Sequence, residues 1–113
     1  MQLDFSKIIV IDLEATCWSG KKPKGSHHDI IEFGVAILEV ASGAILANDG
    51  ILVRPTSSSV SPFCSELTTI TPEMVETAPN FTAACQSLQE RYDTRQHPWA
   101  SFGAYDYNQL QRQ

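Results

Sequence analysis

The stretch that most constrains this chain is KIIVIDLEA, Lys7 to Ala15. Ile8 to Ile11 form a short β-branched apolar run, which reads as a strand buried in a sheet. The run enters Asp12, and Glu14 follows two positions later. On a strand, residues two apart share a face, so both carboxylates point the same way. Two such groups repel one another unless something neutralises them. A divalent cation with a taste for hard oxygen ligands, Mg²⁺ or Mn²⁺, does so. The alternative for a D-x-E pair is a strand end that has reached water, with both acids hydrated. The end of a buried apolar strand is, however, where α/β proteins place their sites.

The remaining pattern predicts a mixed α/β domain. Ser19 to His28, SGKKPKGSHH, is a polar loop. Asp29 to Val40 reads as a second, long strand, Ala41 to Gly43 as a tight turn, and Ala44 to Pro55 as a third strand with a weaker centre. SPFCSELTTI is short and mixed, about one helical turn, with Phe63, Leu67 and Ile70 expected in a small apolar contact. Thr71 followed by Pro72 is a helix start, a hydroxyl cap and then proline at the first helical position. Pro79 stops that helix and Asn80 caps the next, where Phe81, Ala84, Cys85 and Leu88 fall on one face. His97 to Asp106 returns to strand character, and YNQLQRQ starts a further helix.

Length and charge narrow the function classes. The 113 residues suffice for one small domain, residues 1–113, with one core. The net charge of −5 excludes a generically basic nucleic-acid binder, so contact with phosphate needs a local patch or metal ions. Cys17, Cys64 and Cys85 form no CxxC pair and no zinc pattern, and a reduced, cytoplasmic setting is expected. The first residues lack the basic and apolar segments of a targeting signal. No apolar stretch approaches the ~20 residues of a membrane helix.

A second acid, Asp106, follows the apolar and aromatic residues of WASFGAYDYN. Alone it reads as a helix cap. Two neighbouring strand ends bearing acids would form one metal site. VIDLEATCW with DIIEFGVAILEV, then FCSELTTITPEMVETAP, then PWASFGAYDYNQL resembles, in order and spacing, the DEDD superfamily of 3′-to-5′ exonucleases in its DEDDh form. These are DnaQ-like enzymes with a ribonuclease H-like fold. The similarity is greatest to the RNA-processing branch related to the histone-mRNA 3′ exonuclease and its bacterial relatives.

The resemblance implies a ribonuclease H-like mixed sheet with flanking helices, and hydrolysis of single-stranded RNA or DNA from the 3′ end with two Mg²⁺ or Mn²⁺ ions. It makes Asp12, Glu14 and Asp106 the catalytic metal ligands. It sets Ala15, Thr16, Cys17 and Trp18 against the terminal nucleotide, with Trp18 either stacked on a base or closing the rim of the core. RNA is favoured over DNA as the partner strand. The family's second motif often reads W-G-D-Y-D, whereas FGAYD stands here. Its last motif, a general-base His with an Asp five positions on, is missing, and none of His27, His28 and His97 stands in such a pattern. All three read as surface histidines. The expectation is therefore a C-terminally truncated exonuclease domain that exposes apolar surface and is either a homodimer through it or marginally stable. The rival reading is an inactive exonuclease-fold fragment acting as a nucleic-acid-binding or interaction module. Lys21, Lys22 and Lys24 are a solvated cluster or a weak attraction for the phosphate chain. A haloacid-dehalogenase-type phosphatase would need D-x-D, and a dinucleotide-binding fold would need G-x-G-x-x-G after the first strand.

Overall fold

The computed structural model describes residues 2–101 and 105–113. In order they form β1 (Lys7–Ala15), β2 (Ile30–Glu39), β3 (Ile45–Leu52), α1 (Pro62–Thr68), α2 (Pro72–Glu76), α3 (Phe81–Tyr92), β4 (Trp99–Ala100) and α4 (Tyr105–Arg112). The strands make a mixed sheet in the order β3-β2-β1-β4. β1 pairs antiparallel with β2 and parallel with β4, so it lies inside the sheet. That position explains its apolar run, since a strand flanked on both edges needs residues that pack.

The expected strands match closely. β3 ends at Leu52 rather than Pro55 because the chain turns away there. The Val53 N–H still reaches Ile31 O at 2.8 Å, but the Arg54 N–H bonds Pro79 O instead. Of the strand expected over His97 to Asp106, the described residues form Trp99–Ala100, paired with Ile9 and Val10. Phe102, Gly103 and Ala104 of the second motif lie outside the described residues. Both proline-led helices are capped alike: the Ser61 hydroxyl accepts from Cys64 N at 3.0 Å, and the Thr71 hydroxyl from Met74 N at 3.3 Å. Ser61 with Pro62 thus carries the same start signal as Thr71 with Pro72, and α1 runs seven residues instead of one turn.

The core lies on one side of the sheet. Ile9, Ile11 and Leu13 of β1 pack with Phe33, Val35 and Ile37 of β2 beneath Ala84 and Leu88 of α3, and Phe81 and Cys85 pack against them as expected. Burying a side chain such as Leu88 contributes roughly 1.5–3 kcal/mol. A bulge between Glu14 and Ala15 shifts the pairing with β2. As a result the adjacent Ile30 and Ile31 join different clusters, Ile31 meeting Val60, Cys64, Ile70 and Val75 under α1 and α2.

Two expectations fail here. Ile70 is buried, but Phe63 and Leu67 face water, Leu67 at 67% exposure. The inner face of α1 is carried by Cys64 alone. His97 is not a surface histidine either: its side chain is 9% exposed, and Nδ1 lies 2.9 Å from Asp4 O. It fastens the N-terminal segment to the turn before β4.

Candidate active site

β1 delivers its acids by alternation. Ile11 and Leu13 turn into the core, while Asp12 is exposed and Glu14 half-buried on the other face. Across the sheet Asp12 stands opposite Gly34, and Gly34 opposite Gly50. The row beside Asp12 therefore carries no side chain of its own, and the Glu32 carboxylate lies over Gly50, its Oε2 3.1 Å from where a Cβ would stand. Glu14 stands opposite Glu32. Like charges directly opposed on a sheet repel.

Asp106 arrives from a distant part of the chain. The parallel pairing of β4 with β1 puts α4 over the end of β1, and Asp106 occupies the first turn of that helix. It is buried, and its carboxylate accepts a hydrogen bond from the Leu13 backbone. Burial pushes the Asp106 carboxyl up, the charge of Asp12 adds to this, and the Leu13 bond partly offsets both. Burial likewise raises Glu14, with further contributions from Asp12, Glu32 and Asp106.

The expected trio is thus brought near enough to interact, with Glu32 as a fourth carboxylate that sequence reasoning passed over. The signal was Glu32, an acid set between the apolar residues Ile31 and Phe33 of DIIEFGVAILEV. No Lys or Arg forms an ion pair with these four among the described residues, the pairs there being Arg91 with Asp49 and His97 with Asp4. Nor do any three His, Cys, Asp or Glu side chains converge into a ready cation cage among the described residues. The donors are hard oxygens carrying excess negative charge, and they fit a divalent cation.

The segment after β1 is held by side chains rather than by sheet. Thr16 is fully buried, and its hydroxyl accepts from Asp29 N at 2.8 Å and lies 2.8 Å from Ser58 Oγ. Asp29 is also buried, and its Oδ2 accepts from Ser57 N, Ser57 Oγ and Ser58 Oγ at 3.1, 3.0 and 2.5 Å. Cys17 packs beside Cys64; burial first, then the Cys64 thiol and the charge of Glu14, push its thiol up to about 11. Burial and the neighbouring thiol thus favour the neutral form of Cys17. Trp18 leans on His28, ring centroids 5.2 Å apart. Ala15, Cys17 and Trp18 are half-buried, open to one side at the end of β1.

Superposition on solved structures gives the class, a ribonuclease H-like exonuclease fold. The nuclease domain of 3′hExo, a DEDDh family member solved bound to rAMP, aligns with a TM-score of 0.79 at 27% identity, over 99% of this chain and 62% of that one. A 3′-exonuclease solved for 3′-end specific recognition of histone mRNA stem-loop aligns at 0.81 and 28% identity, over 96% and 53% of the two chains. The exonuclease family model RNase_T matches residues 9–113, and the chain belongs to the DEDDh 3′-5′ exonuclease family. ERI1 exoribonuclease 2 of Danio rerio is 42% identical over 94 residues, which is 76% of this chain and 17% of that relative. The chain spans between half and two thirds of the two solved chains and under a fifth of that relative. Enzymes of this family generally use divalent metal ions.

Proposed function

We propose that this chain contributes the acidic half of a 3′-to-5′ exonuclease site acting on single-stranded nucleic acid, RNA before DNA. The observation that carries the proposal is that Asp12 and Glu14 share one face of β1 while Asp106 stands near enough for its charge and that of Asp12 to help raise Glu14, and for Asp12 to help raise Asp106, with no pairing cation among the described residues. Asp12, Glu14 and Asp106 would hold two Mg²⁺ or Mn²⁺ ions. Such ions, when bound, supply an activated water and stabilise the leaving oxygen. Ala15, Cys17 and Trp18 form the wall against which the terminal nucleoside rests, with Thr16 buried behind them. RNA is favoured because the relatives are named exoribonucleases and the matched structures concern rAMP and an mRNA stem-loop. A reduced cytoplasmic setting belongs to the same proposal, supported by three free cysteines. A homodimer through exposed apolar residues such as Phe5, Val40 and Ile45 belongs to it as well.

A second reading is a nucleic-acid-binding or interaction module without hydrolysis. That reading needs only the strand-binding surfaces and no metal-dependent step. The test is trimming of a 5′-labelled single-stranded RNA, and of the matching DNA, with Mg²⁺ or Mn²⁺, against EDTA and Asp12→Ala. Metal-dependent trimming lost in Asp12→Ala supports the exonuclease. No trimming above that background, from folded protein, supports the binding module.

A further inference from the structure

Beyond the end of β1 lies a cleft of about 740 Å³, lined among others by Lys22, His27, His28, Ser57 and Arg112. Its walls come from three distant parts of the chain, and hydrogen bonds lock them together. Gln109 Nε2 donates to His28 O at 2.7 Å, and Gln113 Oε1 accepts from Ile30 N at 2.8 Å, which fixes the end of α4 against the start of β2. His28 Nδ1 lies 2.6 Å from Thr16 O. Gln109 Oε1 accepts from Arg112 Nη2 at 2.8 Å and aims the guanidinium. A guanidinium has five donors in a planar fork suited to phosphate, so one such bond leaves most of them for a ligand. Asp29, the one carboxylate side chain in the lining, is turned to the serines of the floor. A chain with only eight Lys and Arg against thirteen acids thus gathers two of them, with two histidines, in one cleft. Of the loop lysines, Lys22 lines it, while Lys21 and Lys24 do not.

The cleft also sits at a useful distance from the acids. Asp106 and Arg112 stand six positions apart on α4, about 9 Å along the axis. We propose that this cleft binds the phosphodiester chain of the substrate strand upstream of its 3′-terminal nucleotide, with Lys22 and Arg112 as the phosphate contacts. The inference rests on the nucleic-acid reading above, and the two fail separately. The acids are tested by trimming, the cleft by strand binding without metal.

The measurement is fluorescence anisotropy of a 5′-fluorescein uridine octamer in EDTA, across a salt series. Lys22→Gln with Arg112→Gln is expected to weaken binding about tenfold and to flatten the salt dependence, at about 0.7 per phosphate contact on a single strand. An adenosine octamer should lose as much, since phosphate contacts carry no sequence information. The control, Lys7→Gln with Arg95→Gln, removes the same charge elsewhere and should change affinity less than twofold. All four residues are exposed, but Arg112 also donates to the buried Gln109 Oε1, so the control should melt within about 2 °C of the parent and the cleft variant within about 4 °C. An unchanged affinity and salt slope in the cleft variant overturns the proposal, as does an equal loss in the control. Absence of strand binding by the parent overturns it too, whatever the trimming result. Ten-millimolar inorganic phosphate at constant ionic strength should weaken strand binding by the parent more than by the cleft variant, and equal weakening of both overturns the proposal as well.

Discussion

Asp29→Ala removes the group on which the end of β1 depends most. One carboxylate oxygen, on a residue 5% exposed, collects three hydrogen bonds from Ser57 and Ser58. Hydrogen bonds to a charged group contribute about 1.5–3 kcal/mol each when both partners are buried. Ser57 is exposed, so its two donors recover most of their loss from water. The Ser58 bond and the coupled Thr16 hydroxyl do not. The expected cost is therefore about 2–4 kcal/mol, well below three full bonds. With an unfolding entropy near 2.1 cal/mol/K per residue over 113 residues, that corresponds to a fall in Tm of about 8–17 °C. Thermal and urea melts of Asp29→Ala, Ser58→Ala and the double variant give the cycle, with a coupling of about 1–2 kcal/mol expected between the pair. Native-state hydrogen exchange should show faster opening at Thr16, whose N–H bonds Asp29 O at 2.8 Å. A cost below about 1 kcal/mol with no coupling would refute the claim that this carboxylate holds the segment.

Three further outcomes can be checked directly. Glu14 and Asp106 bind protons more tightly folded than unfolded, so metal-free stability should fall as pH rises from the ordinary carboxylate range through their raised values. In melts with EDTA from pH 4 to 8, Asp12→Asn should flatten that slope, and added Mg²⁺ should restore stability in the parent but not in the variant. Leu88→Ala, at a site 2% exposed under the sheet, should cost about 2–5 kcal/mol by urea denaturation and leave Mn²⁺ binding by calorimetry unchanged. Size-exclusion chromatography with light scattering should give a dimer, and Ile45→Lys, placing a charge on a residue 59% exposed, should return it to monomer.

What was legible in the sequence was local. The bounds of β1 and α3 were readable because β-branched run, cap and apolar face all agree within a few residues. The two acids of β1 share a face simply by strand alternation. Other features depended on partners far away in the chain. Gln109 meets His28 across 81 positions, and nothing near Arg112 marks it as part of a cleft with Lys22. Asp29 looked like the first residue of a strand, and only the return of Ser57 and Ser58 turns it into a clasp. Glu32 was visible, but its opposition to Glu14 required the register of the sheet. Leu67 and Phe63 misled because a helix as short as α1 needs only one buried residue to hold it.

β1 is in effect written in two interleaved scripts. Its odd positions speak to the core and its even positions to the chemistry, with one backbone carrying both. Substitutions at even positions can therefore retune the acidic face with little debt to stability, and those at odd positions can adjust stability with little effect on the acids. The same economy makes the strand intolerant of insertion. A shift of one residue would turn Ile9, Ile11 and Leu13 outward and drive Asp12 and Glu14 beneath α3, so fold and site would be lost in one step. Length variation in such a chain belongs in the loop from Ser19 to His28, outside this strand.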